Sequence, residues 1–415
     1  MNERLRTLRL DRGWTQQQLA DAVRTEVLRA TGQHCAVDSA WVGRLERGAI
    51  KWPGAQYRAA LRTVLGGATD AVLGLAGSRT VIGSAKAAIE PAAGHFEQLR
   101  RSLVGSVSDG ALSNMVIDDF EQMVVRYGLL SRDHPAGLLL EDLTADLAQV
   151  QSLIERPRAL STAFALTRLA ANMCGLICLT LVKLDRRPEF RRWARVARVA
   201  ARETGDSATV SWVLAQEAYG HYYADDLEEA LAAARDAQSA TTGGRGVGAV
   251  LAAALEARIL GTQGNRQGCV RAIGLAEERL GMLPADQVND SAFGYDEGQL
   301  RFHEGNAYTR LGDTAAAWLA QQRALELTGA ADYMDQALTR LDRATCLVAD
   351  GDTATGLAYA ADTMSALEDQ QRAGIISLRG KQLLATLESS QGRKLPAAAL
   401  LRDRLMTFDS TAGRP

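Results

Sequence analysis

The sequence predicts an all-α protein, and three observations carry that prediction. Only 8 of its 415 residues are proline, Ala and Leu dominate the periodic stretches, and apolar residues recur at helical rather than alternating spacing. A turn signal followed by an Ala-rich run also recurs along the second half of the chain. With 47% hydrophobic and 23% charged residues the chain has the composition of a folded protein, and its length calls for more than one folding unit.

The elements follow in order. Leu5, Leu8 and Leu10 mark one face of a short first helix that Gly13 ends. Thr15 and Gln18 make a capping-box pattern ahead of Leu19, Ala20 and Val23, the apolar stripe of a second helix. Asp38 is the N-cap of a third helix, with Val42 and Leu45 facing inward and Gly48 closing it. A fourth, from Gly54 to Leu65, completes a small core with Tyr57, Leu61 and Leu65. Residues 1–65 hold 11 Lys+Arg against 6 Asp+Glu, and the remainder holds 36 against 43. A basic head therefore precedes an acidic body, although the formal net charge is only −2.

The runs Trp14-Thr15-Gln16-Gln17-Gln18-Leu19-Ala20 and Trp41-Val42-Gly43-Arg44-Leu45-Glu46-Arg47-Gly48 resemble the helix-turn-helix of phage-repressor-type (Xre/Cro-like) transcriptional regulators. The resemblance implies a DNA-binding domain over 1–67 whose third helix enters the major groove of a double-stranded operator. Carried over onto matching positions, Ser39, Ala40, Gly43 and Arg44 face base edges, while Gln16 and Gln17 support phosphate contact. Arg47 and Lys51 neutralise phosphates, and the Arg44 guanidinium suits guanine O6 and N7. The family joins its two helices by a tight turn. Here the segment from Arg24 to Ala36 intervenes, which predicts a longer second helix and an added loop against which Trp41 packs.

Residues 68–94, rich in Gly, Ala, Ser and Thr, read as a linker. A helical connecting segment, 95–157, follows, with helices from Ser108 to Tyr127 and from Pro135 to Glu155, the second broken by Arg156-Pro157. From 158 to 409, Asp226, Asn265, Asp313 and Asp352 each follow a turn signal at spacings of 39, 48 and 39, and Asp185 lies 41 earlier. The longer interval absorbs a polar loop from Pro284 to Gly294. Gly305-Asn306-Ala307-Tyr308, Gly312-Asp313, Ala317 and Ala324-Leu325 together resemble a tetratricopeptide unit. That likeness implies an α-solenoid of stacked helix pairs, in which small residues allow close approach and Tyr308 fills the gap between helices. Residues 410–415 are a tail.

Measured from the turns, the inner helices present Trp212, Tyr219, Tyr222, Tyr223, Arg258, Gln299, Phe302, Asn306 and Arg310 to a groove for an effector or partner. The other reading of the three tyrosines is packing between helices. The five histidines are isolated, and neither a phosphate-binding Gly loop nor a nucleophile elbow is present, so neither enzymatic activity nor a cofactor is expected. Five scattered cysteines point to a reducing compartment without a metal site. The run from Met173 to Val182 is about half a membrane span and is expected to be a core helix, consistent with a cytoplasmic protein that meets no membrane.

The overall layout resembles tetratricopeptide-containing regulators of the repressor type, as found in actinomycetes. It implies a transcriptional regulator that pairs as a homodimer on its operator and senses a peptide or small-molecule effector. The alternative is a solenoid adaptor that sequesters a protein partner, with the head as an accessory.

Overall fold

A computed structural model describes residues 2–31, 34–50, 53–65, 73, 75, 114–156, 159–329, 332–387 and 394–406. Every regular element among them is helical, so the fold is all-α. The chain divides into two units, 1–106 and 107–415. Lys51, nearly all of the expected linker, the expected helix start at Ser108 and the tail lie outside the described residues.

The first unit contains α1 (Glu3–Asp11), α2 (Gln16–Thr31), α3 (Ser39–Glu46) and α4 (Ala55–Val64). Its ends are set by short-range chemistry. Gln18 N–H donates to Thr15 Oγ1 at 3.2 Å while Thr15 N–H donates to Gln18 Oε1 at 2.7 Å, the reciprocal pair a capping box requires. Asp38 accepts from Trp41 N–H at 2.7 Å, and Gly48 leaves α3 at φ +76°, a left-handed exit open to glycine at little cost. Leu5, Leu19, Val23, Val27, Val42, Leu45 and Leu61 form the core, which Leu73 and Leu75 also join. The insertion after Arg24 lengthens α2 as expected, and Trp41 sits 5.5 Å, centroid to centroid, from Tyr57 of α4.

The second unit opens with α5 (Asn114–Leu130) and α6 (Ala136–Ile154). Helix hairpins follow in chain order: α7 (Leu160–Lys183) with α8 (Arg187–Glu203), α9 (Ser207–Tyr223) with α10 (Leu227–Ser239), and α11 (Val247–Thr262) with α12 (Arg266–Gly281). They continue as α13 (Glu297–Leu311) with α14 (Thr314–Leu327), α15 (Tyr333–Ala349) with α16 (Thr353–Ala366), and α17 (Ile375–Ala385) with α18 (Pro396–Met406). The odd-numbered helices from α7 to α17 also pack on one another in sequence, forming a central row. Burial follows: α9 buries 13 of its 17 residues, whereas α8 buries only the stripe Phe190, Ala194, Ala197 and Ala201. Helix α7 is long and apolar enough to cross a membrane, but 67% of its most apolar window is buried inside this unit.

The recurring turns obey one backbone rule. Asp225, Gly264, Gly312 and Gly351 all have positive φ immediately before the N-caps Asp226, Asn265, Asp313 and Asp352. Asp185 shares that left-handed position at φ 55° and so aligns with Asp225, one residue off the register expected from sequence. Close approach explains the glycines within helices. A Cβ on Gly248 of α11 would lie 2.4 Å from the Ser211 carbonyl carbon of α9, and one on Gly305 of α13 would lie 3.0 Å from Gln321 Cγ of α14. Ala317 and Ala324 are fully buried, and half-buried Tyr308 packs on a small satellite core around Cys269 and Ile273.

The segment from Pro284 to Asp296 departs from the turn pattern. Its first half is mostly exposed, but from Ser291 onward it folds back against the central row and buries Tyr295 completely. The Trp212 indole N–H donates to Ala292 O at 2.7 Å, and Ala292 N–H donates to Gly128 O, at the end of α5, at 2.9 Å.

Candidate functional site

Each unit carries a candidate site. In the first, the spacing of Ala40, Arg44 and Arg47 places all three exposed residues on one stripe of α3, while Val42 and Leu45 anchor the opposite side. The Arg44 side chain has no hydrogen-bond or ion-pair partner among the described residues. Ser39 is half-buried. Gly43 is covered: a Cβ there would lie 3.1 Å from Arg47 Nη1 and 3.4 Å from Gln16 Oε1. Gln17 is exposed at the start of α2 and donates to Asp21 at 2.8 Å.

Gln16 has a second task. Its amide donates to Glu46 Oε2 at 2.7 Å, joining a buried ion pair in which Arg9 Nε donates to Glu46 Oε1 at 2.7 Å. Arg9 also donates to Trp14 O at 2.6 Å, so one guanidinium fastens the ends of α1 and α3 to the start of α2. Burial opposes charge on Glu46, but its bonds to Arg9 and Gln16 outweigh that and hold its carboxyl below the usual range. This pair fixes the pitch of α3, and sequence reasoning missed it because Arg9 and Glu46 are 37 residues apart.

In the second unit the nine groove candidates divide among four places. Arg258 and Asn306 are completely buried at the centre of the row. Arg258 Nε and Tyr222 OH both donate to Asn306 Oδ1, at 2.8 and 2.9 Å, and Arg258 Nη2 donates to Tyr223 OH at 3.0 Å. The guanidinium carbon also lies 4.4 Å from the Tyr222 ring centroid, with Tyr219, Tyr223 and Phe302 slightly farther away. Asn306 passes the network on, donating to Asp342 Oδ2 at 2.7 Å, and Asp342 accepts in turn from Arg379.

On one side of this network, Tyr222, Tyr223, Arg310 and Arg379 line a cavity of about 210 Å³. Burial opposes ionisation of the Tyr222 hydroxyl, but Arg258, Arg310 and Arg379 outweigh it and bring it down to about 8. Trp212 instead borders a shallow cavity beside Thr241 and Val247. On the other side, Tyr219, Gln299 and Phe302 line a pocket of about 60 Å³, roofed by Ser291, Ala292 and Gly294 of the inserted segment.

Sequence reasoning missed the charged wall of this last pocket. Arg132, from the α5–α6 turn, donates to Asp335 at 2.8 Å and Asp332 at 3.1 Å, and its Nε donates to Asp290 O at 2.6 Å. Burial and the neighbouring Asp332 raise Asp335 to about 6. Lys183, the last residue of α7, donates to Ser131 O, and burial and the Arg132 charge lower its pKa. The His303 ring contributes Nδ1 to Arg258 Nη1 at 3.2 Å. A guanidinium only donates, so Nδ1 accepts and the proton of the neutral ring sits on Nε2. Burial and the charges of Arg258 and Arg132 hold His303 well below its ordinary range. The signals available in the sequence were slight: Lys183 is one of only five lysines and ends an apolar helix, but nothing local links it to Arg132 or Asp335.

Burial pushes the Cys174 thiol up to about 12 and raises Cys178 well above its ordinary value, so both stay protonated. No family model, curated protein or solved structure matches this chain.

Proposed function

We propose that the chain is a sequence-specific DNA-binding transcriptional regulator, with a helix-turn-helix head over 1–67 and a tetratricopeptide-like solenoid that mediates homodimerisation and senses a small effector. The observation that carries the reading is the outer stripe of α3, where Ala40, Arg44 and Arg47 are exposed above a rigidly seated helix and the Arg44 side chain is unpartnered among the described residues. A free guanidinium on a short helix can donate twice to guanine O6 and N7, while Arg47 and Gln17 meet phosphates. The positive balance of residues 1–65 supports attraction to the duplex, and pairing of two chains supplies two heads for half-sites about 34–36 Å apart.

Selection of duplexes from a random pool by the full-length protein tests the reading. The expected outcome is an enriched operator, whose preference over competitor falls by about 1–3 kcal/mol in Arg44→Ala while helix content is unchanged. Equal retention of all duplexes at moderate salt overturns it.

A further inference from the structure

We propose that the pocket beneath the inserted segment is a binding site for a small organic monocarboxylate with an apolar body. The inference rests on reading the second unit as the sensing part, and it names the chemical class of the effector. Size comes first. A pocket of about 60 Å³ holds roughly four to six water-sized centres, which suits a molecule of roughly five to nine non-hydrogen atoms and excludes an extended peptide. The segment around Ala292 and Tyr295 occupies the space along the central row that such a peptide would need.

Polarity comes next. Gln216 is 3% exposed and lines the pocket, yet its amide has no hydrogen-bond partner among the described residues. That amide is free to meet a ligand or water within the pocket. Beside it stand the His303 Nε2–H, left as a donor once Nδ1 accepts from Arg258, and the Lys183 ammonium, which donates to Ser131 O and has no carboxylate within ion-pairing distance among the described residues. The acidic groups of the same wall, Asp332 and Asp335, are already held by Arg132. The Lys183 ammonium, the His303 Nε2–H and the Gln216 amide N–H are donors with capacity left, and a guest that carries negative charge and accepts hydrogen bonds is complementary to them. Leu179, Leu251, Phe302 and Met334 form the rest of the lining, and they call for an apolar remainder on that guest.

Calorimetric titration of the full-length protein with butyrate, isovalerate and benzoate, each paired with its uncharged primary amide, tests the assignment. At least one acid is expected to bind roughly tenfold or more tightly than its amide, and Lys183→Met is expected to erase that difference. Gln216→Leu is expected to weaken the acid with little change in thermal midpoint. Absence of binding by every acid, equal binding of acid and amide, or an unchanged preference in Lys183→Met overturns the proposal; the acid–amide comparison on the unaltered protein decides the matter if a variant does not fold. Duplex selection on the same preparation is read separately. Selective DNA binding without carboxylate binding removes this site and leaves the regulator, whereas the reverse removes the regulator and leaves the site.

Discussion

Replacing Asp342 with asparagine should be the most damaging near-isosteric change in the second unit. Asp342 is 2% exposed and accepts from Asn306 Nδ2 at 2.7 Å and from Arg379. It is also the only carboxylate paired with Arg379 among the described residues, and Arg258 reaches it only through Asn306. Two buried guanidiniums thus share one counter-charge, and Asp342→Asn leaves both without it. Breaking a buried pair in this way costs about 3–5 kcal/mol, against a total stability on the order of 5–15 kcal/mol. With an m-value of about 3 kcal/mol/M, the urea midpoint followed by far-UV circular dichroism should fall by about 1 M or more. The control is Glu121→Gln, which removes the exposed Arg168–Glu121 pair at 2.6 Å and should cost less than about 1 kcal/mol. If the two variants melt within about 0.3 M of each other, the charge bookkeeping of the central network is wrong.

Other outcomes are equally specific. Glu46→Gln strips Arg9 and Gln16 of their buried anion, so amide hydrogen exchange should accelerate in α1, α2 and α3 while peptides of the second unit keep their protection. Gly248→Ala drives a Cβ into the backbone of α9 at 2.4 Å and should cost about 1–3 kcal/mol, whereas Gly274→Ala, with nothing within 4 Å, should gain about 0.5–1 kcal/mol in the same melt. Although burial opposes its charge, bonds to Glu217 and Asp226 raise the pKa of His221 above 6.5. Its stabilising contribution is therefore full below pH 6.5 and lost as pH rises through the raised value. The thermal midpoint gap between the unaltered protein and His221→Gln should be wider at about pH 5.5 than at about pH 8.5, and a constant gap would contradict the assignment.

What the sequence made legible was whatever is decided within a few residues. The capping box at Thr15 and Gln18, the Asp38 cap, the Gly48 exit and the Asn265, Asp313 and Asp352 caps all depend on one turn of backbone, and each sits where local chemistry places it. The register of Asp185 slipped by one because a non-glycine residue at positive φ carries no strong sequence signal. Direction was harder than periodicity. The same spacing that puts Tyr222, Arg258 and Asn306 toward the row's interior is compatible with an open groove, and only the mutual hydrogen bonds at 2.8 and 2.9 Å reveal how completely they satisfy one another. The pocket's charged wall was invisible for a related reason: Arg132 and Asp335 are separated by 203 positions, and no pattern of short period connects them.

Stacked repeats in which each unit touches only its neighbours tend to fray from the ends and melt in stages. The Ala292 residue works against that habit here, since its N–H and C=O tie the end of α5 and the middle of α9 to a single point between α12 and α13. The cross-tie couples α5 and the second hairpin to the junction of the third and fourth, so these elements should lose their structure in one cooperative transition. Trimming the segment to the length of the other turns should split that transition into a broad, multiphase one.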